Sequence, residues 1–365
     1  MKIWPVAVEP RLDLWLSVLH DRNGTDILLT EGSRPLLRVD GRLSPLEGSE
    51  PLTGEEIEVI ARRQISDPYG DRLHLGREVA FSFSWREKAR VRANAFYQRN
   101  SCSLSLRRIP MEIPAPEELG LPQALGSVLG SPSGLILVTG PAGAGKSTSM
   151  AAMIDVINRT RACHIVTIED PIEYLHCNRS SAISQREVGT DTESFDSALR
   201  SVLREDPDVV LVGEVRDLDS ITAAMAIAET GHLVITTLHT NDSARAIDRL
   251  IDVFPSERRP QIQVQLAGTL LAVLYQRLVP RRGGGMLAAC ELMLGVPAVR
   301  NLIREGRTGQ LRQVVAASGA DGMQTLEHHL SDLLAQGLID YGTAVDASLY
   351  PGDIRQPAPA VTGAL

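Results

Sequence analysis

The stretch that decides the fold of this chain lies near its middle and reads Gly140-Pro141-Ala142-Gly143-Ala144-Gly145-Lys146-Ser147. It matches the pattern G-x-x-x-x-G-K-[ST], and its flanks fit, because residues 135–138 read as a buried strand and residues 147–158 as a helix. Glycines let such a loop curl so that successive N–H groups point at an anion, and the start of the helix adds partial positive charge. The sequence therefore predicts a phosphate-binding loop, called the P-loop below.

Two side chains of the P-loop suggest its ligands. A lysine at the position of Lys146 supplies a mobile positive charge for the β- and γ-phosphates of a nucleotide, and the hydroxyl of Ser147 suits Mg²⁺. ATP and Mg²⁺ are therefore the predicted cofactors. The alternative is a glycine-rich turn that binds nothing, and the agreement of pattern and context disfavours it.

Bulk composition narrows the class of protein. At 365 residues the chain is long for one core, so two domains are expected, and a net charge of −8 argues against coating nucleic acid through bulk charge. The cysteines form no C-x-x-C pair and are predicted to be lone thiols in a reducing cytosol. No apolar run approaches the roughly 20 residues of a membrane span, and the first residues, Met1-Lys2-Ile3-Trp4-Pro5, lack the apolar core of a signal peptide. We expect a cytoplasmic protein without direct membrane insertion.

Two patterns divide the chain. Before residue 110, helices at 10–22 and 53–65 combine with alternating strands at 79–85 and 89–98, which indicates a small α+β domain. The prolines that follow favour an extended connector. The predicted organisation is an N-terminal domain over 1–109, a Pro-rich linker over 110–118, a second domain over 119–350 and a disordered tail over 351–365.

The second domain has the pattern of a parallel sheet covered on both faces, because strands that are apolar throughout alternate with helices. The strands are predicted at 135–139, 164–168, 208–212 and 233–237. The helices are predicted near 146–158, 194–204, 217–229 and 241–251. Residues 258–350 read as mostly helical.

An acid follows one of these strands at Glu214. In P-loop NTPases an acid at such a strand end lies beside the phosphates, where it holds Mg²⁺ or its waters. Gly213 stands where an aspartate is usual, so the role of Glu214 stays open between Mg²⁺ contact and water positioning. A surface glutamate without a role is the alternative.

A second group of acids follows the strand at 164–168 and comprises Glu169, Asp170 and Glu173. These carboxylates are expected at the edge of the sheet where open α/β folds bind ligands. Pro171 enforces a turn that could aim Glu173 at the site, where a carboxylate can align a water and take its proton. The alternative is an acidic helix start that satisfies free N–H groups.

Histidines and arginines complete the candidate residues. His232 and His239 bracket the strand at 233–237, and each is either a structural histidine or a sensor of the γ-phosphate. Arginines of the first domain are either solvated surface or reach the nucleotide from an adjacent domain or subunit, as an arginine finger does. These are Arg90, Arg92, Arg107 and Arg108.

Several further segments carry a resemblance to a known family, and they are TIEDPIEY (167–174), ALRSVLREDPDVVLVGEVRD (198–217), AETGHLVITTLHT (228–240) and IDRLIDVFP (247–255). They closely resemble the secretion-superfamily ATPases of type II secretion and type IV pili. Residues 298–305, AVRNLIRE, are similar to the AIRNLIRE motif of the pilus-retraction branch, with Val299 in place of Ile. The match covers roughly residues 25–345.

The resemblance implies an α/β fold with a PAS-like α+β N-terminal domain and a RecA-like P-loop ATPase domain with extra C-terminal helices. It implies a homohexameric ring with ATP between the two domains. By position, Glu173 resembles the general base, Glu214 the Walker B acid and metal ligand, and His232 and His239 the histidine box. Lys146 and Ser147 would bind phosphate and Mg²⁺. The implied nucleotide-binding set is Gly140, Pro141, Ala142, Gly143, Ala144, Gly145, Lys146, Ser147, Thr148, Arg90 and Arg107.

One absence favours the retraction branch. Assembly and secretion ATPases of this family carry paired C-x-x-C zinc sites after Q-R-L, whereas Gln276-Arg277-Leu278 continues through Arg281 and Arg282 without cysteines, so no zinc is expected. The implied partners are an inner-membrane platform protein, which would place the chain at the cytoplasmic side of the inner membrane, and a paralogous retraction ATPase.

Three functions compete at this stage. The first is a motor that retracts type IV pili by rotating its two domains about the linker, with residues 298–305 transmitting the stroke. The second is an accessory retraction ATPase. The third is a RecA-like nucleic-acid motor, which the net negative charge and the lack of a basic, aromatic-interleaved stretch disfavour.

Overall fold

The computed structural model of the chain describes residues 8–39, 41–65, 73, 78–86, 88–215 and 217–355. It divides into two units, of which the first is Met1–Glu112 with Glu173–Leu175 and the second is Ile113–Ile172 with His176–Leu365. The division after Glu112 falls inside the stretch predicted as a linker. Within the described ranges, no helix has both the length and the apolar character that crossing a bilayer requires.

The first unit is built on a six-stranded antiparallel sheet with the strand order β3-β2-β1-β6-β5-β4. Its strands are β1 Asp26–Leu29, β2 Leu36–Val39, β3 Arg42–Pro45, β4 Val79–Trp85, β5 Ala89–Gln98 and β6 Ser101–Pro110. Its helices are α1 Pro10–Asp21 and α2 Gly54–Gln64. The predicted strands at 79–85 and 89–98 and both predicted helices are confirmed. Thr53 and Glu56 form the capping box that starts α2, with Glu56 N donating to Thr53 Oγ1 at 3.2 Å.

The second unit is built on a seven-stranded sheet with the order β13-β12-β7-β11-β10-β8-β9, in which every pairing is parallel except that of β12 with β13. The strands are β7 Gly134–Thr139, β8 His164–Glu169, β9 Ala182–Glu187, β10 Val209–Val212, β11 Leu233–Leu238, β12 Leu270–Pro280 and β13 Met286–Leu294. The predicted strands at 135–139, 164–168, 208–212 and 233–237 are confirmed.

Helices cover both faces of this sheet. Along β7, Leu135 and Leu137 belong to one hydrophobic cluster, whereas Ile136 and Val138 belong to another on the opposite face. This is why the central strands are apolar at every position. The helices are α3 Ala124–Leu129, α4 Lys146–Thr160, α5 Phe195–Val202, α6 Leu218–Glu229, α7 Ser243–Asp252, α8 Arg259–Thr269, α9 Pro297–Arg304, α10 Leu311–Ala317, α11 Leu326–Ala335 and α12 Tyr341–Ala347.

Two predictions for the C-terminal third differ from the structure. The prediction of a mostly helical stretch is wrong for residues 270–280 and 286–294, which form β12 and β13, since an apolar run of this kind has no periodicity that separates a buried strand from a buried helix. The prediction of disorder is wrong for its first residues, because Pro351–Asp353 forms a 3-10 turn and Asp353 Oδ2 lies 2.6 Å from Arg312 Nη2. The remainder of the predicted tail, residues 356–365, lies outside the described residues.

A partly buried histidine in the second unit predicts acid sensitivity. The main-chain N–H of His176 donates to Gln185 Oε1 at 2.8 Å, and burial of the ring outweighs the nearby Asp155 carboxylate and lowers the pKa of His176 from 6.5 to about 4. Between these two pH values the unfolded chain binds a proton at His176 and the folded chain does not. The free energy of unfolding therefore falls as the pH drops from 6.5 towards 4. We expect His176→Leu to remove up to about 3 kcal/mol of this loss.

The measurement is urea unfolding at several pH values across that window. His328→Leu is the exposed-histidine control, because the His328 side chain is 48% exposed. Parallel curves of unfolding free energy for the wild type and His176→Leu would contradict the assignment.

Candidate functional site

The P-loop connects the end of β7 at Thr139 to the start of α4 at Lys146. The predicted strand–loop–helix arrangement is confirmed. Gly143 and Gly145 adopt left-handed backbone conformations with φ of 75° and 83°, which is how the loop turns sharply enough to begin a helix at its end. Ser147 and Thr148 follow in the first turn of α4, where both are half-buried.

Lys146 is held inside the loop that precedes it. Its side chain is buried, and Nζ donates to the carbonyl oxygens of Gly140 at 2.9 Å and Pro141 at 3.0 Å. The same Nζ lies 3.3 Å from Nδ1 of His239, just beyond the end of β11. The ammonium group is thus positioned by P-loop carbonyls on one side and by an imidazole on the other.

His239 joins the P-loop lysine to an acid. Its Nε2 lies 3.0 Å from Oε1 of Glu214, while its Nδ1 faces Lys146. An ammonium group only donates hydrogen bonds and a carboxylate only accepts them. The contacts are therefore both satisfied when His239 is neutral, with Nδ1 accepting from Lys146 and Nε2–H donating to Glu214.

Glu214 is fixed by the end of its strand. Gly213 N donates to Ile168 O at 2.8 Å, and Thr237 Oγ1 donates to Gly213 O at 2.7 Å, so the residue before Glu214 is bonded to both neighbouring strands. Beside Glu214 and His239 lies a cavity of about 260 Å³ whose walls are partly apolar and partly charged. Its lining residues are Glu214, Val215, Ile221, Leu238, His239, Arg249 and Val253.

His232 lies at the opposite end of β11 from His239. Its Nδ1 is 3.1 Å from Ile227 O and from Thr230 Oγ1, and its carbonyl accepts from Gly134 N where β7 begins. A six-residue strand spans about 20 Å, and the P-loop follows the far end of β7. The two histidines that the sequence predicts as one pair are therefore separated, and His239 is the one at the P-loop.

The first unit contains the predicted arginines. Arg90 Nη2 donates to Ser82 Oγ at 2.5 Å, and Arg107 Nε contacts Asp26 Oδ1 at 2.9 Å. Glu173 groups with this unit, where its Oε1 lies 3.5 Å from Arg92 Nη1. The predicted contacts of Arg90 and Arg107 with a nucleotide, and the predicted role of Glu173 as general base, stay predictions.

Two contacts of the P-loop escape sequence reasoning. Thr139 Oγ1 lies 2.6 Å from Thr240 Oγ1, which ties β7 to the residue after His239. Gln276 Nε2 donates to the carbonyl oxygen of Ala144 at 2.6 Å. Gln276 stands in a motif that the sequence singles out, but its distance of 132 positions from Ala144 hides the contact until β12 is paired with β7.

Comparison with known proteins identifies relatives of this chain in sequence and in structure. PilT of Pseudomonas aeruginosa, a type IV pilus retraction ATPase, is 43% identical over 330 residues, which cover 90% of this chain and 96% of PilT. PilU of the same organism, a type IV pilus ATPase, is 39% identical and covers 93% of this chain and 89% of PilU. A crystal structure of the pilus retraction motor PilT with bound ADP aligns with a TM-score of 0.87 over 94% of this chain and 99% of that chain, at 43% identity.

The likeness confirms the predicted fold class, which is a PAS-like α+β unit and a RecA-like ATPase unit with further helices at its C-terminal end. The family profile described as Type II/IV secretion system protein matches residues 39–320. That range includes the P-loop, Glu214 and His239. The chain belongs to the type II/IV secretion system protein family.

Proposed function

We propose that this chain hydrolyses ATP and uses the released energy to retract type IV pili, as a subunit of a homohexameric ring. The observation that carries the proposal is the hydrogen-bonded series Lys146–His239–Glu214 at the end of β7, β10 and β11. It brings a phosphate-binding cation and an acid to one sheet edge. The 43% identity with the retraction ATPase PilT, which extends over 96% of that protein, supports retraction as the action of the motor.

The residues of the P-loop suit a nucleotide. Its backbone N–H groups and the first turn of α4 would hold the phosphates through Gly140, Pro141, Ala142, Gly143, Ala144, Gly145, Lys146, Ser147 and Thr148. In this arrangement Lys146 exchanges its contacts with the Gly140 and Pro141 carbonyls for phosphate oxygens.

The hydroxyl of Ser147 and the carboxylate of Glu214 are the hard oxygen ligands that Mg²⁺ prefers. Glu214 is 19% exposed and lies one imidazole away from Lys146, so the donor set fits the ion. Bound Mg²⁺ would neutralise charge on the phosphates. His239, which contacts both Lys146 and Glu214, would keep these two side chains in position while Mg²⁺ and the phosphates are bound.

Hydrolysis needs a group that orients water and accepts its proton. We assign this role to Glu173, since it stands at the position of the general base in the family's acidic motif, and Arg90 and Arg107 would offset charge on the transferred phosphoryl group. Arg92, which contacts Glu173, is a third arginine available to this group.

Helix α9 is the proposed transmitter of force. Val299 and Ile303 are fully buried, whereas Arg304 lies exposed on the outer side of the same helix. A helix anchored by its apolar face passes movement of the ATPase core to whatever contacts its charged face. The partners proposed for the ring are a platform protein of the inner membrane and a paralogous retraction ATPase, without zinc and without nucleic acid.

The test is pilus retraction in a deletion strain. Complementation with the wild-type chain should restore retraction and twitching motility, whereas Lys146→Ala, expressed at the same level, should not. Retraction restored in full by Lys146→Ala would remove the motor assignment. Retraction that is normal in the deletion strain itself would remove it as well.

A second candidate is an accessory retraction ATPase, which the 39% identity with PilU over 89% of that protein favours. The two candidates differ in what happens without the other motor of the cell. A main motor restores retraction alone, whereas an accessory subunit restores it when the paralogue is present. Complementation of single and double deletion strains separates them.

A further inference from the structure

We infer that Gln276 is a positioning residue for nucleotide binding, which orients the Gly145 N–H toward the phosphates by holding the carbonyl oxygen of Ala144. The inference rests on the proposed binding of nucleotide at the P-loop. The inference adds Gln276 to the nucleotide site. This residue belongs neither to the P-loop nor to the acids that follow β8 and β10, and its strand, β12, lies far from the P-loop in sequence.

The register of the sheet places Gln276 against the loop. Strand β12 runs parallel to β7, and Tyr275 is paired with Thr139, so Gln276 lies beside the first residue of the P-loop. The approach is close, because a Cβ added to Gly140 would lie 2.1 Å from the Gln276 carbonyl oxygen. The main chain of Gln276 thus contacts the start of the loop.

The side chain of Gln276 contacts the end of the loop. Its Nε2 donates to Ala144 O at 2.6 Å, and a Cβ added to Gly145 would lie 3.2 Å from the same nitrogen. Gln276 as a whole is 1% exposed, so this hydrogen bond forms away from solvent. Water therefore does not compete for the Ala144 carbonyl.

The bond fixes more than one atom. The carbonyl of Ala144 and the N–H of Gly145 belong to one peptide group. This peptide is trans, since the cis peptide found in the described residues is Asp170-Pro171. In a trans peptide the C=O and the N–H point in opposite directions. Holding the carbonyl toward β12 therefore turns the Gly145 N–H away from β12 and into the curl of the loop.

The other end of the amide argues for a functional purpose. Gln276 Oε1 is buried and has no hydrogen-bond partner among the described residues. A buried polar atom without a partner destabilises a fold, so the unpaired Oε1 offsets part of what the bond from Nε2 to Ala144 O contributes to stability. The net contribution of the amide to stability is therefore small, whereas its one bond sets the orientation of the Ala144 carbonyl.

The test compares Gln276→Leu with the wild type in isothermal titration with ADP and Mg²⁺ and in steady-state ATP hydrolysis. We expect the Kd for ADP and the KM for ATP to rise about tenfold, because an N–H that contacts a charged phosphate loses its orientation. We expect kcat at saturating ATP to stay within about threefold, since the bond acts equally on bound substrate and transition state. The melting temperature should fall only slightly, because the variant leaves Ala144 O without its donor but also removes the unpaired Oε1.

Gln324→Leu is the matched control. Gln324 Nε2 also donates to a main-chain carbonyl next to this sheet, that of Cys290 at 3.1 Å, but not to the P-loop. It should leave the Kd for ADP unchanged. Equal losses of ADP affinity in both variants, or a Kd in Gln276→Leu within twofold of wild type, would overturn the inference.

Gln276→Glu supplies an independent readout. A glutamate buried here donates to Ala144 O when protonated and repels it when charged. Its ADP affinity, divided by that of the wild type at the same pH, should rise as the pH falls, whereas the ratio for Gln276→Leu should stay flat. A flat ratio for Gln276→Glu would also overturn the inference, and Gln276→Met replaces Gln276→Leu if the latter does not fold. A wild-type chain that binds no ADP would instead refute the proposed function.

Discussion

Lys146→Ala is expected to lower the rate of ATP hydrolysis by at least about 100-fold, because it removes the mobile charge that stabilises the β- and γ-phosphates. The same side chain donates to Gly140 O and Pro141 O and faces His239 Nδ1, so the variant also loses the link between the P-loop and Glu214. The measurement is steady-state phosphate release by the purified chain, together with titration of ADP to separate binding from turnover.

Lys88→Ala is the control for this prediction, because Lys88 is an exposed lysine of the first unit, next to Trp85. It should hydrolyse ATP at the wild-type rate. Thermal unfolding of both variants checks that the folds are intact. Phosphate release that is unchanged in Lys146→Ala would show that the loop does not serve hydrolysis and would remove the enzyme assignment.

Glu173→Gln and Glu214→Gln are expected to lose activity for different reasons. Both substitutions keep the size of the side chain and remove its charge. If Glu173 takes the proton of the attacking water, Glu173→Gln should bind ATP with near wild-type affinity and hydrolyse it about 10²- to 10⁴-fold more slowly, with an unchanged Mg²⁺ requirement. If Glu214 holds Mg²⁺, Glu214→Gln should require more Mg²⁺ for half-maximal activity and for ATP binding.

The two roles are separated by a magnesium titration at fixed ATP for each variant. Glu193→Gln, at an exposed acid of the second unit, is the control and should match the wild type. Wild-type turnover in Glu173→Gln would reassign the base. A raised Mg²⁺ requirement in Glu173→Gln, with a normal one in Glu214→Gln, would exchange the two assignments.

Local sequence pattern was sufficient for most of the second unit. The turn from β7 into α4 needs glycine at positions 143 and 145, and a strand buried on both faces needs an apolar run. Neighbouring residues are sufficient to recognise both features. The same holds for α2, whose capping box is made by Thr53 and Glu56. The position of Glu214 at a strand end followed from the strand before it.

Pairings between distant segments were beyond the reach of pattern. Strand β12 is a strand because it lies beside β7, and a run of apolar residues looks the same when it is a buried helix. His232 and His239 look equivalent in sequence, but the direction of β11 sends them to opposite edges of the sheet. Gln276 reaches Ala144 only through the register of β12 on β7.

The division has a physical reason. Backbone conformation, helix caps and burial of a strand depend on residues within a few positions of one another. The P-loop and its flanking elements can therefore be predicted from short stretches of sequence. Which side chain completes the loop depends on strand order and register, and these follow from the packing of the whole sheet. The phosphate-binding motif could therefore be read from eight consecutive residues, whereas its contacts with His239 and Gln276 became visible when the strands were assembled.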